Sequence, residues 1–100
     1  MSEVTLVGHI IVPVSALDAV EAELPTHIQL TRDEPGCIEF SVTQDGATPT
    51  IFHVSERFES PAAFAHHQNR VRTSRWGTIT TDVARHYTIT GLGHESDRPT

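Results

Sequence analysis

Two alternating segments in the middle of the chain constrain its fold most. In Cys37 to Thr43, CIEFSVT, the side chains of Ile38, Phe40 and Val42 point one way and those of Glu39, Ser41 and Thr43 the other. That period of two is the mark of a strand with one apolar face. Ile51 to Phe58, IFHVSERF, repeats it: Phe52, Val54 and Phe58 share a face with Glu56, while His53, Ser55 and Arg57 share the other. Between the two runs QDGATP carries Asp-Gly, a turn signal. Together they predict an antiparallel hairpin with one face to be covered.

The flanking segments supply the cover. Val4 to Val12, VTLVGHIIV, is β-branched and apolar with His9 the exception, and predicts a strand covered on both faces. Pro13 ends it. A helix then starts at Val14 or Ser15, with Ser15 as the N-cap and Asp18 three residues on. Leu17, Val20, Leu24 and Ile28 form its apolar stripe. Pro25 inside that stripe removes one backbone hydrogen bond, so a kink or two short helices are expected. Glu34-Pro35-Gly36 stops the helix.

After the hairpin, Ser60-Pro61 opens a helix with a capping hydroxyl and a proline at its first position. It runs through AAFAHHQN into a second helical piece near Gly77, and Ala84 to Leu92 reads as a last strand. The polar stretch 93–100 reads as a flexible tail. The order strand, helix, strand, strand, helix, strand is that of an α+β, ferredoxin-like antiparallel sheet with helices on one face, in a single domain spanning 1–100. A chain of 100 residues buries only about two-thirds of its unfolded surface. The helix-free face of its sheet therefore predicts a homodimer.

Charge and composition exclude several partners. Seven basic against thirteen acidic residues give a net charge of -6, which opposes binding to a phosphate backbone, so no nucleic acid is expected. Arg57, Arg70, Arg72 and Arg75 are local exceptions that read as a solvated face with salt bridges, or as a site for one anionic ligand, and not as a nucleic-acid tract. No apolar run approaches the roughly 18 residues of a membrane span, and MSEVTL lacks the basic and apolar regions of a secretory signal. Cys37 is the single cysteine. These features together predict a cytoplasmic protein without membrane contact. The seven histidines include no H-x-x-x-H or H-E-x-x-H pair, so no metal site is expected.

Chemistry concentrates in Phe64 to Trp76, FAHHQNRVRTSRW. Adjacent His66 and His67 point about 100° apart on a helix. His67 follows Phe64 by three residues and precedes Val71 by four, so it lies on the buried stripe and His66 faces solvent. A buried His67 reads either as a hydrogen-bonded core residue or as a base. Asn69 reads as a helix cap or a donor, and Trp76 as core, as a substrate-stacking wall, or as both. His9 faces a pocket or a dimer seam. Glu56, on an apolar face, needs a partner, for which Arg85 or a histidine serves. Arg85 and Tyr87 share a face of the last strand and reach towards the same cavity.

The runs EPGCIEFSV and FHVSERFESPAAFAHH resemble the antibiotic biosynthesis monooxygenase family, which includes quinol monooxygenases. The second contains that family's pattern as Glu56, Phe58, Ser60, Ala63, Phe64 and His67. The resemblance covers about residues 4 to 92. It implies a homodimer of the dimeric α/β barrel type, its two sheets packed together. It also implies a pocket between sheet and helices in which a phenol, quinol or polycyclic aromatic is oxidised by O2 with no cofactor, neither metal nor flavin. Phe58 stands where a tryptophan is common, and Arg72 near the place of a second histidine. The heme-degrading branch carries an asparagine near His9, a tryptophan near His67 and an axial histidine near Trp76 and Gly77. None is present, so heme degradation is not implied.

Placed on this frame, the expected substrate walls are Phe40, Phe52, Phe64 and Trp76, with Glu56, Arg85 and Tyr87 beside them. The expected catalytic groups are His67 first, then His9, with Asn69 as a donor. Cofactor-free oxygenation needs a base to draw a proton from the substrate, donors for the resulting anion, and a dry pocket. Histidine, titrating near neutrality, suits the first role. The other reading of the same pocket is a non-catalytic dimeric module that binds a small hydrophobic metabolite.

Overall fold

The computed structural model describes residues 3–92, so the tail expected at 93–100 lies outside the described residues. Strand β1 (Val4–Ile11) leads into helix α1 (Val14–Arg32). The hairpin β2 (Cys37–Gln44) and β3 (Ile51–Phe58) follows, then α2 (Pro61–Arg72), the short α3 (Arg75–Ile79) and β4 (Ala84–Thr90). The strands form one antiparallel sheet in the order β2-β3-β1-β4. The helices cover one face of it, as the ferredoxin-like pattern requires. No helix among the described residues is long and apolar enough to cross a membrane.

Alternation decides what that face contains. Leu6 and Ile10 of β1, Phe40 and Val42 of β2, and Phe52, Val54 and Phe58 of β3 are buried against Val20 of α1, Phe64 and Val71 of α2, and Trp76 of α3. Each large side chain so buried contributes about 1.5–3 kcal/mol of transfer free energy. Glu56 lies in the same row, between Val54 and Phe58, and is only 3% exposed.

Several local features differ from what the pattern predicts. The helix α1 runs unbroken through Pro25. Glu21 and Pro25 both lie on its exposed side, so the carbonyl freed by the proline is solvated and the helix continues. Ser15 does not cap it: Pro13, at φ -58 and ψ 144, is the N-cap and makes no side-chain cap bond. In β2 the register slips by one, with Cys37 opposite Phe58 and Glu39 opposite Arg57. That bulge turns Ile38 out to 44% exposure instead of into the core. The second helical piece expected after α2 is present as a separate element, begun by Ser74, whose hydroxyl accepts the Gly77 N–H at 3.1 Å. Strand β4 ends at Thr90, before Gly91 at φ 98.

The opposite face of the sheet carries no helix. Val7 is 51% and Ile11 39% exposed there, so β1 is covered on one face only within a single chain. A row of histidines crosses this open face. His9 stacks on His86 at 4.9 Å between ring centroids and lies 6.5 Å from His53.

Candidate functional site

Three elements bring polar side chains together under the helices. Val20, His27 and Thr31 form the buried edge of α1, and Phe64, His67 and Val71 that of α2. The turn after α1 adds Glu34, which is 7% exposed. His67 is fixed from one side: its Nδ1 lies 3.2 and 3.3 Å from the two carboxylate oxygens of Glu34. Arg70 Nε donates to Glu34 Oε2, and Arg70 Nη2 donates to the Thr31 hydroxyl at 2.9 Å. That hydroxyl in turn donates to the His27 carbonyl at 2.8 Å. Burial opposes a charge on Glu34, but the hydrogen bonds from His67 and Arg70 outweigh it and hold its carboxyl below the usual carboxylate range. An ionised Glu34 accepts the Nδ1 proton, which leaves His67 Nε2 as the nitrogen facing the sheet.

Nε2 faces Glu56, whose Oε1 lies 4.0 Å away. That oxygen is buried and has no hydrogen-bond partner among the described residues. Burial, reinforced by the nearby charge of Glu34, pushes the Glu56 carboxyl up to about 8. A carboxylic acid in that range is mostly protonated at pH 7 and becomes a base just above it.

Glu56 lines a cavity between sheet and helices with Phe40, His27, Trp76, Arg85 and Tyr87, closed by Ile10, Val42, Val54, Val71, Thr80 and Val83. Its free volume is about 20 Å³, room for about one water molecule, so an aromatic ring enters only if wall side chains part. His27 stacks flat on Trp76, with ring centroids 4.4 Å apart and planes 2° from parallel. Burial, and then the charges of His67 and Arg70, bring the His27 imidazole down to about 3, so it is neutral over the physiological range. Arg85 does not pair with Glu56. It donates to the Thr80 carbonyl at 3.1 Å and holds the end of the α3 segment against β4.

The residues expected at the site divide into two groups. Phe40, Trp76, Glu56, Arg85 and Tyr87 line the cavity, and His67 stands behind Glu56. Phe52 and Phe64 are in the core and do not line it: Phe52 is packed under the sheet's own cover, and Phe64 stacks edge-on against Phe58 at 5.8 Å. Asn69 is exposed and accepts a hydrogen bond from Arg72 at 2.8 Å, because two residues along a helix turn it about 200° from His67. His9 belongs to the odd-numbered row of β1 and points to the open face, opposite His67. His66 is exposed, as its angle on α2 predicts.

Two members of the cluster, His27 and Glu34, carry no functional reading in the sequence. His27 follows Val20 by seven residues, a helical spacing that turns both to the buried side. Glu34 reads only as part of a helix stop, and nothing local tells that its side chain turns inward. No group of three or more His, Cys, Asp and Glu side chains among the described residues is arranged to hold a metal ion.

Residues 4–76 match the family described as antibiotic biosynthesis monooxygenase. Among solved structures, PA3566 from Pseudomonas aeruginosa is 24% identical with a TM-score of 0.73, covering 96% of this chain and 97% of its own. A Nitrosomonas europaea protein is 23% identical with a TM-score of 0.73, covering 89% of this chain and 88% of its own. Rv0793 from Mycobacterium tuberculosis is 21% identical with a TM-score of 0.68, covering 96% and 100%. At these identities the likeness is one of fold. No curated protein matches the chain.

Proposed function

This chain belongs to the antibiotic biosynthesis monooxygenase family, and from that premise we propose that it is a cofactor-independent monooxygenase acting on a phenolic, quinol or polycyclic aromatic substrate. The observation that carries the reading is Glu56: a buried carboxyl, unpartnered at Oε1, raised to about 8, in the wall of an otherwise mostly apolar cavity. Such a group is matched to taking a proton from a phenol near neutral pH. The resulting anion passes an electron to O2, the radical pair combines to a hydroperoxide, and loss of water leaves a carbonyl. One oxygen atom enters the product and the other leaves as water, so a phenol becomes a quinone with no other reductant. Aromatic walls and exclusion of water favour each charged step.

His67 acts through Glu56. At 1% exposure and outside the cavity wall it does not meet the substrate. It steadies the Glu56 carboxylate, and Glu34 holds its ring in place. His67→Ala is expected to lower kcat/KM for oxygen consumption on a quinol by about 10²-fold, the low end of what a proton-transfer group contributes. His66→Ala, on the same helix but exposed, is expected to leave it unchanged. Equal losses from the two variants would remove His67 from the site.

The assembly proposed is a homodimer through the open sheet face. Val7 and Ile11 are exposed on it beside the histidine row, and a chain this small gains from covering an apolar face. Sedimentation equilibrium at micromolar concentration is expected to give twice the chain mass. Replacing both Val7 and Ile11 by lysine is expected to give the chain mass with the fold intact, and a wild-type monomer would contradict the assembly.

A further inference from the structure

Two buried side-chain atoms among the described residues lack a hydrogen-bond partner: Glu56 Oε1 and His27 Nδ1. Both residues are at least nine-tenths buried, at 3% and 4% exposure, and both line the same cavity. Buried polar atoms are nearly always partnered. Two orphans in one small cavity therefore mark a place where a polar group of another molecule belongs. We propose that His27 Nδ1 and Glu56 Oε1 form a hydroxyl-recognition pair that binds one aromatic hydroxyl of the substrate between them. This rests on the reading of the cavity as the substrate site and adds His27 to the residues that contact the substrate.

A hydroxyl suits the pair chemically. It offers one donor and two acceptor lone pairs, so it serves a carboxyl oxygen and an imidazole nitrogen together. The imidazole cannot swing away, because it lies flat on Trp76 and meets Phe40 edge-on at 5.3 Å. Both groups are largely uncharged at pH 7, since burial keeps the imidazole unprotonated and the carboxyl protonated. The site therefore takes a neutral hydroxyl and disfavours an aromatic carboxylate, whose charge would face Glu56 and, behind it, the ionised Glu34, while the one cation on the wall, Arg85, is turned to the Thr80 carbonyl. The substrate class becomes narrower: a neutral hydroxyarene, chosen over its methyl ether and over aromatic acids.

The test is ¹⁹F NMR titration of the full chain at pH 7 with 4-fluorophenol, 4-fluoroanisole and 4-fluorobenzoate. The phenol is expected to bind saturably and about tenfold or more tighter than the ether, because the ether leaves a buried donor or acceptor unpaired. The benzoate is expected not to bind. His27→Phe keeps the ring stacked on Trp76 but removes both nitrogens. It is expected to lower the phenol's affinity to that of the ether and leave the ether's unchanged. In the unmodified protein, the ¹⁵N resonance of His27 Nδ1 is expected to move with the phenol and not with the ether. This reading needs no variant to fold. Equal affinities for phenol and ether, no saturable phenol binding, a preference that survives in His27→Phe, or an unmoved Nδ1 resonance at saturation would each overturn the proposal. The oxygenase reading fails separately, through absent oxygen uptake. Hydroxyl selectivity without turnover would leave this inference standing alone, and turnover with an unchanged preference in His27→Phe would remove this inference alone.

Discussion

Glu56→Gln is expected to lower kcat/KM for quinol oxidation by about 10²–10⁴-fold, the usual contribution of a positioned base, and to make the protein more stable at pH 8. The two effects share one cause. Glutamine fills nearly the same space but cannot take a proton, so the chemical step is lost. The stability gain follows from the sign of the shift. The carboxyl is raised from 4.5 to about 8 in the folded chain, so the folded state holds a proton that the unfolded state releases. The stability this gives is full below about 4.5 and is lost as pH rises through about 8. At pH 8 the wild type carries a penalty on the order of a few kcal/mol that glutamine does not. For a domain of this size the variant's Tm should rise by roughly 10 °C at pH 8 and change little at pH 4.5. A gain in stability bought with activity is the usual signature of a strained functional group. A variant that loses activity and also loses stability at pH 8 would instead mark Glu56 as structural.

The Glu34 site should respond with the opposite sign. Glu34→Ala removes the acceptor shared by His67 Nδ1 and Arg70 and leaves a buried imidazole and a part-buried guanidinium without their carboxylate, the guanidinium keeping only the Thr31 hydroxyl. Breaking one side of a buried pair costs about 3–5 kcal/mol. Arg70 is 23% exposed at its side chain and recovers some water, so about 3 kcal/mol is expected. That is a large share of the total stability of a small domain. Urea unfolding should show a lower midpoint with an unchanged slope. Because the carboxyl is held below its ordinary range, the stability it gives is present above the ordinary carboxylate pKa and is lost as pH falls through the depressed one. The wild type should therefore weaken on acidification where Glu34→Ala does not. A loss under about 1 kcal/mol would mean that the His67–Glu34–Arg70 contacts are loose.

Fold and site were legible in the sequence to different degrees, for physical reasons. Periods of two and of 3.6 reflect which side of an element is dry. The strands, the helices, the hairpin and the inward row ending in Glu56 and Phe58 could therefore be read directly. So could the burial of His67 and the exposure of His66, which depend only on angle around a helix. Features set by pairing between segments could not. The slip in β2 that expels Ile38 depends on where Glu39 meets Arg57, and no local pattern records it. His9 lies in an apolar run, and alternation assigns it a row but not which row the helices cover. Glu34 and His27 show the same limit more sharply. Their roles exist only because the end of α1, the stop after it and α2 converge on one point. The proline in α1 failed as a breaker because its freed carbonyl lies on the wet side.

The most direct test of the account is oxidation of a quinol under ¹⁸O2 by protein first treated with chelator and shown to be free of flavin. Oxygen uptake equal to product formed is expected, with one ¹⁸O atom in a hydroxyquinone and the other in water, no hydrogen peroxide released, and kcat/KM rising as pH passes about 8, where Glu56 ionises. Uptake no faster than the uncatalysed reaction across hydroxyarenes that bind, or product oxygen drawn from water, would contradict it.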